Sequence, residues 1–509
     1  MTNIKKIIIE DKFVLLWLLF LVFGSYANSL GNQFVSDDIP GIIQNSAIHR
    51  FDYTFAQSWG NVHMFSYFIL NAVFGQSPAP FRLVNILFHL GNVVILYFIA
   101  KSLHTKKTAL LAASIFAVHP ILVETITWIS GGLYAKLTFF FLLSFLLYIK
   151  KETYRHFNSA SVISFLACLQ SSPFALPLGI IFPLYDLIWK KRLQSLKAYL
   201  PIVIGSLIYT GIYFGEFEKR TESLVTTSQF KTGFVNPIHV IPISITEYIK
   251  LIFYPKDLTL YHTELSFSKE QFLFRAFLFL IFVSTTIFGF FKSRRYFFWS
   301  AWFFISLAVS LNPFGVGWVV AERYVYLGTI GIVVVFSILV IWGIDRVKLQ
   351  SLYLTILFLL VTPLAIRTII RNSNWKNQDS LWLSTAVTSP TSAQNHNNLG
   401  DYYGRQGNLE TAVKEFEVAI KLKPDYADAY HNLANTYGQM ERFDEAVVAY
   451  QKAIEFNPNL WQSYQNLGVI YYHEKNMTEA LKYFETALEI NPANENLQLL
   501  VKEIRGSTP

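Results

Sequence analysis

Residues 81–103 read FRLVNILFHLGNVVILYFIAKSL. Between Arg82 and Lys101 the run carries no Asp, Glu, Lys or Arg, and its main polar residues are Asn85, His89 and Asn92. A helix rises about 1.5 Å per residue, so this run is about as long as the ~30 Å hydrocarbon core of a bilayer. In that solvent the backbone must satisfy its own hydrogen bonds, which a helix does. The stretch therefore reads as a membrane-spanning helix, and it sets the class of its surroundings.

Similar apolar stretches lie on both sides, at 13–30, 108–122, 133–149, 159–172, 173–189, 197–214, 272–291, 297–311, 324–343 and 352–371. Together with 81–103 they predict about eleven spans, the shorter ones tilted or partly re-entrant. One more stretch, 238–254, is ambiguous. Basic residues cluster at Lys5/Lys6, Lys101/Lys106/Lys107, Lys150/Lys151/Arg155, Lys190/Lys191/Arg192, Lys292/Arg294/Arg295 and Arg346/Lys348. These fall in every second loop if 238–254 lies at the interface or dips back, and the positive-inside rule makes them cytoplasmic. The N-terminus is then inside. The loops 28–80, 119–132, 215–271 and 312–323 are outside, as is the chain beyond residue 374. Ser25-Tyr26-Ala27 resembles a leader-peptidase site, but the many spans that follow favour a retained first span.

Composition fits this reading. The chain of 509 residues is 53% hydrophobic and 17% aromatic, with 15% charged residues, against about 25% in soluble domains. The net charge of +8 is explained by the loop clusters and does not point to nucleic acid. The single cysteine, Cys168, excludes an internal disulfide, and no CxxC or HExxH metal motif is present.

The C-terminal part repeats. Leu399/Leu433/Leu467, Tyr403/Tyr437/Tyr471, Ala412/Ala446/Ala480, Ala419/Ala453/Ala487 and Pro424/Pro458/Pro492 each recur at a period of 34. That period, with small residues and a terminal proline, is the tetratricopeptide pattern. The expected architecture is all-α: a polytopic membrane bundle over 1–374, a half-repeat connector over 375–392, three repeats forming an α-solenoid over 393–492, and a capping helix and tail over 493–509. Asn398, Asn432 and Asn466 recur once per repeat. They read either as an amide ladder for a peptide backbone or as braces between neighbouring helices.

Several residues could carry chemistry. Asp37 and Asp38, in FVSDDI, sit just beyond the first span. One carboxylate there could take a proton from a hydroxyl, and its neighbour could tune it or hold a divalent cation; the competing reading is a solvated Asx turn. His119-Pro120 ends the third span, followed by Glu124 and Trp128, four apart and so on one helix face. Lys136 enters the next span on the same outer side, where it could hold an anion or neutralise Glu124. Glu322-Arg323, in AERYVYL, could bind a lipid phosphate through the guanidinium fork or form a bracing ion pair. His89, alone on a helix face, reads as a packed histidine.

Taken in order, FVSDDI, FRLVNILFHLGN, HPILVETITWISG, LPLGIIFPLYD, YIKLIFYPKDLTLYH, AERYVYLGTIG and WKNQDSLWLSTAVTSP resemble the transmembrane and tetratricopeptide-repeat O-mannosyltransferases. The resemblance implies a membrane glycosyltransferase fold. It also implies a polyprenyl- or dolichyl-phosphate sugar donor, with mannose as the sugar, and a protein hydroxyl as acceptor. By resemblance, Asp37 is the base with Asp38 as its partner, and Arg323 holds the donor phosphate. Three departures stand out: Gly132 replaces an Arg that follows WISG in the family, GNVHMFSYF lacks the family's Arg-Pro, and Ser171-Ser172 replace a Lys. Lys136 is the local candidate to supply the missing charge.

The expectation is an inverting transferase in the cell membrane of a prokaryote or the endoplasmic reticulum of a eukaryote. It would act among membrane lipids with its repeats on the extracytoplasmic side. The alternatives are an inactive repeat scaffold that recruits a protein partner and, more distantly, a transporter.

Overall fold

The computed structural model describes residues 2–55, 60–150, 159–191, 193, 199–212, 237–260, 262, 268–311 and 320–507. Lys151, Arg155 and Arg192 of the basic clusters lie outside the described residues, as do most of the loop 312–323 and the first part of the loop 215–271. Among the described residues there is no strand. The chain divides into two compact units, Met1–Leu381 and Trp382–Pro509.

The first unit is a helical bundle. Its long members are α1 (Thr2–Tyr26), α3 (Pro78–Leu103), α6 (Gly132–Ile149), α11 (Lys269–Lys292), α13 (Tyr326–Arg346) and α14 (Tyr353–Asn374). Among the described residues, six helical stretches built on these are long and apolar enough to cross a membrane by length and composition, and a bent pair makes up to seven. The chain is an integral membrane protein. The bent pair is α4 (Lys106–Val118) with the segment Pro120–Thr127, which turns by 51°. The break falls at His119-Pro120, because proline removes a backbone donor and pushes the preceding residue out of the helical region. His119 sits there at φ −72°, ψ 125°. Helix α5 (Val123–Thr127) then stops before Trp128, whose ψ is 124°. Trp128 and Glu124 therefore do not share a helix face, contrary to what their spacing suggests.

Other predicted spans are shorter or broken. α7 (Ser159–Ser171) and α9 (Tyr199–Ile212) are short apolar helices. The stretch 173–190 combines a 3₁₀ turn, α8 (Ile181–Tyr185) and a π turn, with prolines at 173, 177 and 183. α12 (Arg294–Leu307) has 14 residues. The described residues thus do not establish eleven full-length spans. The ambiguous stretch forms α10 (Pro237–Phe253), whose Glu247 pairs with Arg275 at 2.7 Å and Lys250 at 3.0 Å.

At the cytoplasmic end expected from the basic clusters, Asp11 of α1 is buried. It accepts from Tyr97 at 2.9 Å and pairs with Lys101 and Lys106 at 2.5 and 2.9 Å. Two of the predicted basic residues thus hold three helices together at this point.

The second unit is a solenoid. Helix pairs α16 (Ala393–Arg405)/α17 (Leu409–Leu422), α18 (Ala427–Gln439)/α19 (Phe443–Phe456) and α20 (Trp461–His473)/α21 (Met477–Ile490) are the three repeats. They follow α15 (Gln378–Thr388) and end on α22 (Glu495–Ser507). Ala412, Ala446 and Ala480 are fully buried, as close helix approach requires. At Gly400 and Gly468, an added Cβ would lie 2.5 Å from the rings of Phe416 and Phe484. The last helix buries Leu497, Val501 and Ile504 against Phe484 and Ala487.

Of the repeated asparagines, Asn432 donates to Asn397 Oδ1 at 3.0 Å, and Asn466 donates to Asn435 Oδ1 at 2.9 Å and Tyr450 at 3.1 Å. Asn398 is half-buried. Each bridge joins one repeat to the next, and a hydrogen bond contributes about 1 kcal/mol net. Replacing Asn398, Asn432 and Asn466 together with alanine is therefore expected to destabilise the repeat unit by roughly 2–3 kcal/mol. A melting curve unchanged in the triple variant, with peptide binding lost, would instead make the amides a ligand surface.

Candidate functional site

The loop after α1 is fixed from several directions. Arg82, fully buried in α3, donates to the carbonyls of Thr127 (2.7 Å), Asn32 (2.7 Å) and Gln33 (3.0 Å). Asn28 and Asn32 donate to Ile369 and Asn372 carbonyls, both at 2.9 Å, and the Gln33 N–H donates to Lys376 O at 2.8 Å. One cation therefore binds the segment before the acidic pair to the segment after the bent third helix. An ionisable group on a membrane helix is expensive, and here three carbonyls repay it.

The two aspartates have opposite environments. Asp38 is fully buried. Its Oδ1 accepts from the Ser130 N–H at 2.9 Å and the Ser130 hydroxyl at 2.6 Å, and its Oδ2 accepts from the Val35 N–H at 3.2 Å. Burial pushes its carboxyl up to about 6, against the opposing pull of these donors and of Arg82. Asp37 is exposed, and among the described residues its carboxylate has no hydrogen-bond or ion-pair partner. Between Val35 and Asp37, Ser36 adopts φ 53°, a left-handed conformation that costs a non-glycine residue about 1–2 kcal/mol. The Ser36 N–H meets the Gln378 side chain at 3.3 Å. Asp38 thus anchors the turn and Asp37 is what the turn presents. With both Asp38 oxygens engaged, Asp37 is the one carboxylate of the pair left to offer a cation. Among the described residues no three His, Cys, Asp or Glu side chains stand together.

Glu322 and Arg323 part company. Arg323 pairs with Glu124, whose other oxygen accepts the Arg323 backbone N–H at 2.9 Å. Its guanidinium lies 5.4 Å from the Trp128 ring and 5.0 Å from the Tyr324 ring. Glu322 faces the other way. It takes Arg371 Nη2 on both oxygens at 2.7 Å, the Thr259 N–H at 2.7 Å and His262 at 3.3 Å. Glu124 is therefore neutralised by Arg323 and not by Lys136.

Trp128 connects the two halves of the site. Its indole N–H donates to Val35 O at 3.3 Å, its ring meets Arg323, and it stacks on Trp375 at 5.9 Å. One side chain therefore touches both the acidic turn and the arginine. Sequence reasoning named Trp128 only as a helix-face neighbour of Glu124, and it gave no site role to Arg82 or Arg371. A cation or an indole at a span end was the available signal.

The remaining candidates are packed. His89 meets Tyr326 at 2.7 Å through Nδ1 and Ala117 O at 3.1 Å through Nε2. His119 donates from Nε2 to Ile252 O at 2.8 Å and accepts the Ile121 N–H at Nδ1. Lys136 is buried, with Nζ 3.1 Å from His63 Nδ1 and 3.3 Å from Asn85 Oδ1. At Gly132 an added Cβ would fall 1.9 Å from Asn85 Oδ1, so this backbone has no room for the arginine expected after WISG.

Residues 62–213 match the family profile described as dolichyl-phosphate-mannose-protein mannosyltransferase. Over that segment the chain is similar to the protein-mannosyltransferase family, and tetratricopeptide repeats follow it. Repeat profiles match at 400–441, 427–460 and 461–494. The mouse protein named protein O-mannosyl-transferase TMTC3 is 25% identical over 485 residues, covering 80% of this chain and 50% of that protein. The Caenorhabditis elegans protein O-mannosyl-transferase F38B6.6 is 25% identical over 443 residues, covering 81% of this chain and 63% of its own length. The Drosophila melanogaster protein O-mannosyl-transferase Tmtc2 is 33% identical over 120 residues, covering 23% of this chain and 12% of its own length. The chain spans about half the length of the mouse and human TMTC3 proteins. Among solved structures, the crystal structure of MamA is 26% identical, covering 30% of this chain and 83% of that chain, at a TM-score of 0.21, a value too low to carry an argument.

Proposed function

We propose that this chain is a membrane glycosyltransferase that moves a hexose, mannose by its family match, from a polyprenyl-phosphate carrier to a hydroxyl of a protein. What supports this most directly is the convergence at Trp128 of an exposed, unpaired carboxylate turn and a guanidinium. Asp37 takes the proton of the acceptor hydroxyl. The hydroxyl oxygen bonds to the anomeric carbon as the carbon–oxygen bond to phosphate breaks, inverting the centre. The polyprenyl phosphate leaves with the electron pair. Arg323, steadied by Glu124, and Lys136 stabilise the charge that grows on the leaving phosphate. The rest of the acceleration is positioning. Membranes containing the protein should transfer labelled mannose from polyprenyl-phosphate-mannose to a serine- or threonine-containing peptide. Failure with an intact, folded protein would leave the inactive repeat scaffold as the reading. Chelation in the same assay tells whether Asp37 works with a divalent cation.

The repeats belong, on this reading, on the same side as Asp37, where they deliver an extended peptide to it. The alternation of basic clusters supports an odd number of crossings. Alkaline phosphatase fused at the C-terminus is expected to be active and green fluorescent protein dark in a bacterial host. A bright, phosphatase-negative fusion would place the repeats in the cytoplasm and sink the delivery idea.

A further inference from the structure

Helix α2 (Asn61–Phe74) inverts the usual arrangement of an amphipathic helix. His63, Tyr67 and Asn71, four residues apart, are buried, whereas Phe65, Ile69 and Val73 are exposed by 40%, 42% and 65%. The inward polar stripe is expensive and its hydrogen bonds are incomplete.

Two unfilled groups adjoin one imidazole in this stripe. One is the Lys136 ammonium, which is 1% exposed and held by His63 Nδ1, Asn85 Oδ1 and, at 5.6 Å, the Phe88 ring. All three partners are neutral, and among the described residues Lys136 has no carboxylate partner. A buried cation without a counter-ion costs several kcal/mol. The Tyr67 ring lies 4.3 Å from the same His63 ring. The Tyr67 hydroxyl is near Ser130 and in the field of Asp38 and Asp37. Ser130 gives its N–H and its hydroxyl proton to Asp38, and among the described residues no group stands in hydrogen-bonding geometry to the Tyr67 hydroxyl. A buried hydroxyl without a partner also costs about 1–3 kcal/mol. One turn further on, Asn71 Oδ1 is likewise unbonded.

A buried ammonium without a carboxylate partner and an unbonded hydroxyl, both adjoining one imidazole, ask for a ligand that carries both an anion and hydroxyls. The geometry points to α2 as the donor-sugar subsite: the Tyr67 hydroxyl binds a hydroxyl of the sugar on a glycosyl phosphate, and His63 orients Lys136 toward the phosphate. This rests on the donor reading above and adds the residue that recognises the sugar as distinct from its lipid carrier.

The test is binding by the purified full chain of polyprenyl-phosphate-mannose and of bare polyprenyl phosphate, with melting of the ligand-free protein alongside. Tyr67→Phe removes one unbonded oxygen, so the ligand-free variant should melt at the same temperature or higher. It should bind the mannosyl carrier about tenfold more weakly and the bare carrier as the wild type does. Lys136→Gln should weaken both ligands. Tyr67→Phe binding both carriers like wild type, or losing both equally, would overturn the sugar assignment. Wild type binding neither carrier would overturn the donor reading itself, a result distinct from the first two.

Discussion

Asp37→Asn is expected to lower sugar transfer by about 10²–10⁴-fold, the usual contribution of a general base, with no loss of thermal stability. The second half of that expectation comes from the structure. The Asp37 side chain is exposed and has no partner among the described residues, so exchanging oxygen for nitrogen breaks no bond. Asp38→Asn should do the reverse. It puts an amide against three donors, from Ser130 and Val35, loosening the turn and lowering transfer as a consequence.

The two variants also separate in their pH dependence. Burial raises the Asp38 carboxyl from its ordinary 3.8 to about 6. The folded protein therefore holds that proton more tightly than the unfolded chain does. The stability this contributes is complete below about pH 4 and is lost as pH rises through about 6. Melting measured from about pH 4 to about pH 8 should show wild type losing a component that Asp38→Asn lacks and Asp37→Asn retains. Transfer at the wild-type rate in Asp37→Asn would remove it as the base. Asp38→Asn as the more damaging variant at unchanged stability would exchange their roles.

Glu322→Ala is expected to cost roughly 3–5 kcal/mol, the penalty for stripping the partner from a buried charge. The carboxylate takes Arg371 on both oxygens and closes the Thr259 backbone. Arg371 is buried, with its other donations to Leu258 O at 2.8 Å and an Nε that has no partner. Removing Glu322 leaves that buried cation without a carboxylate partner among the described residues. Removing both charges, as Glu322→Gln with Arg371→Gln, should recover much of the loss, because the pair itself contributes little beyond its own desolvation. A double variant no better than Glu322→Ala would show that Glu322 acts through Thr259 and His262. Because Arg323 follows Glu322 directly, transfer should fall in the single variant and return in part with the pair.

The membrane class and the repeats were legible because both rest on periodicity: runs like 81–103 have one physical explanation, and a period of 34 marks the solenoid. Span number was less legible, since the prolines at 173, 177 and 183 leave an apolar run whose helix is broken. At the site, the sequence could show that Asp37 and Asp38 were unusual. It could not show that one faces solvent and the other Ser130, because that depends on a fold-back of 92 residues. Adjacent letters misled at Glu322-Arg323, whose side chains point to Arg371 and Glu124. Spacing misled at Glu124 and Trp128, because the helix ends between them. The absence of an arginine after WISG reads as a defect in sequence. In the fold it is a swap: Gly132 makes room for Asn85, which reaches Lys136.

The acidic turn is written early in the chain but is fastened late. Asn28, Asn32 and Gln33 bond to positions 369, 372 and 376, and Arg82 cannot complete its clamp until Thr127 has been made. During synthesis Asp37 is thus made some three hundred residues before α14, the last long apolar helix, which fixes its turn. A stalled or truncated product would carry every nominal site residue up to the break and still lack a formed site. The turn is therefore fastened only after about three quarters of the chain has been made.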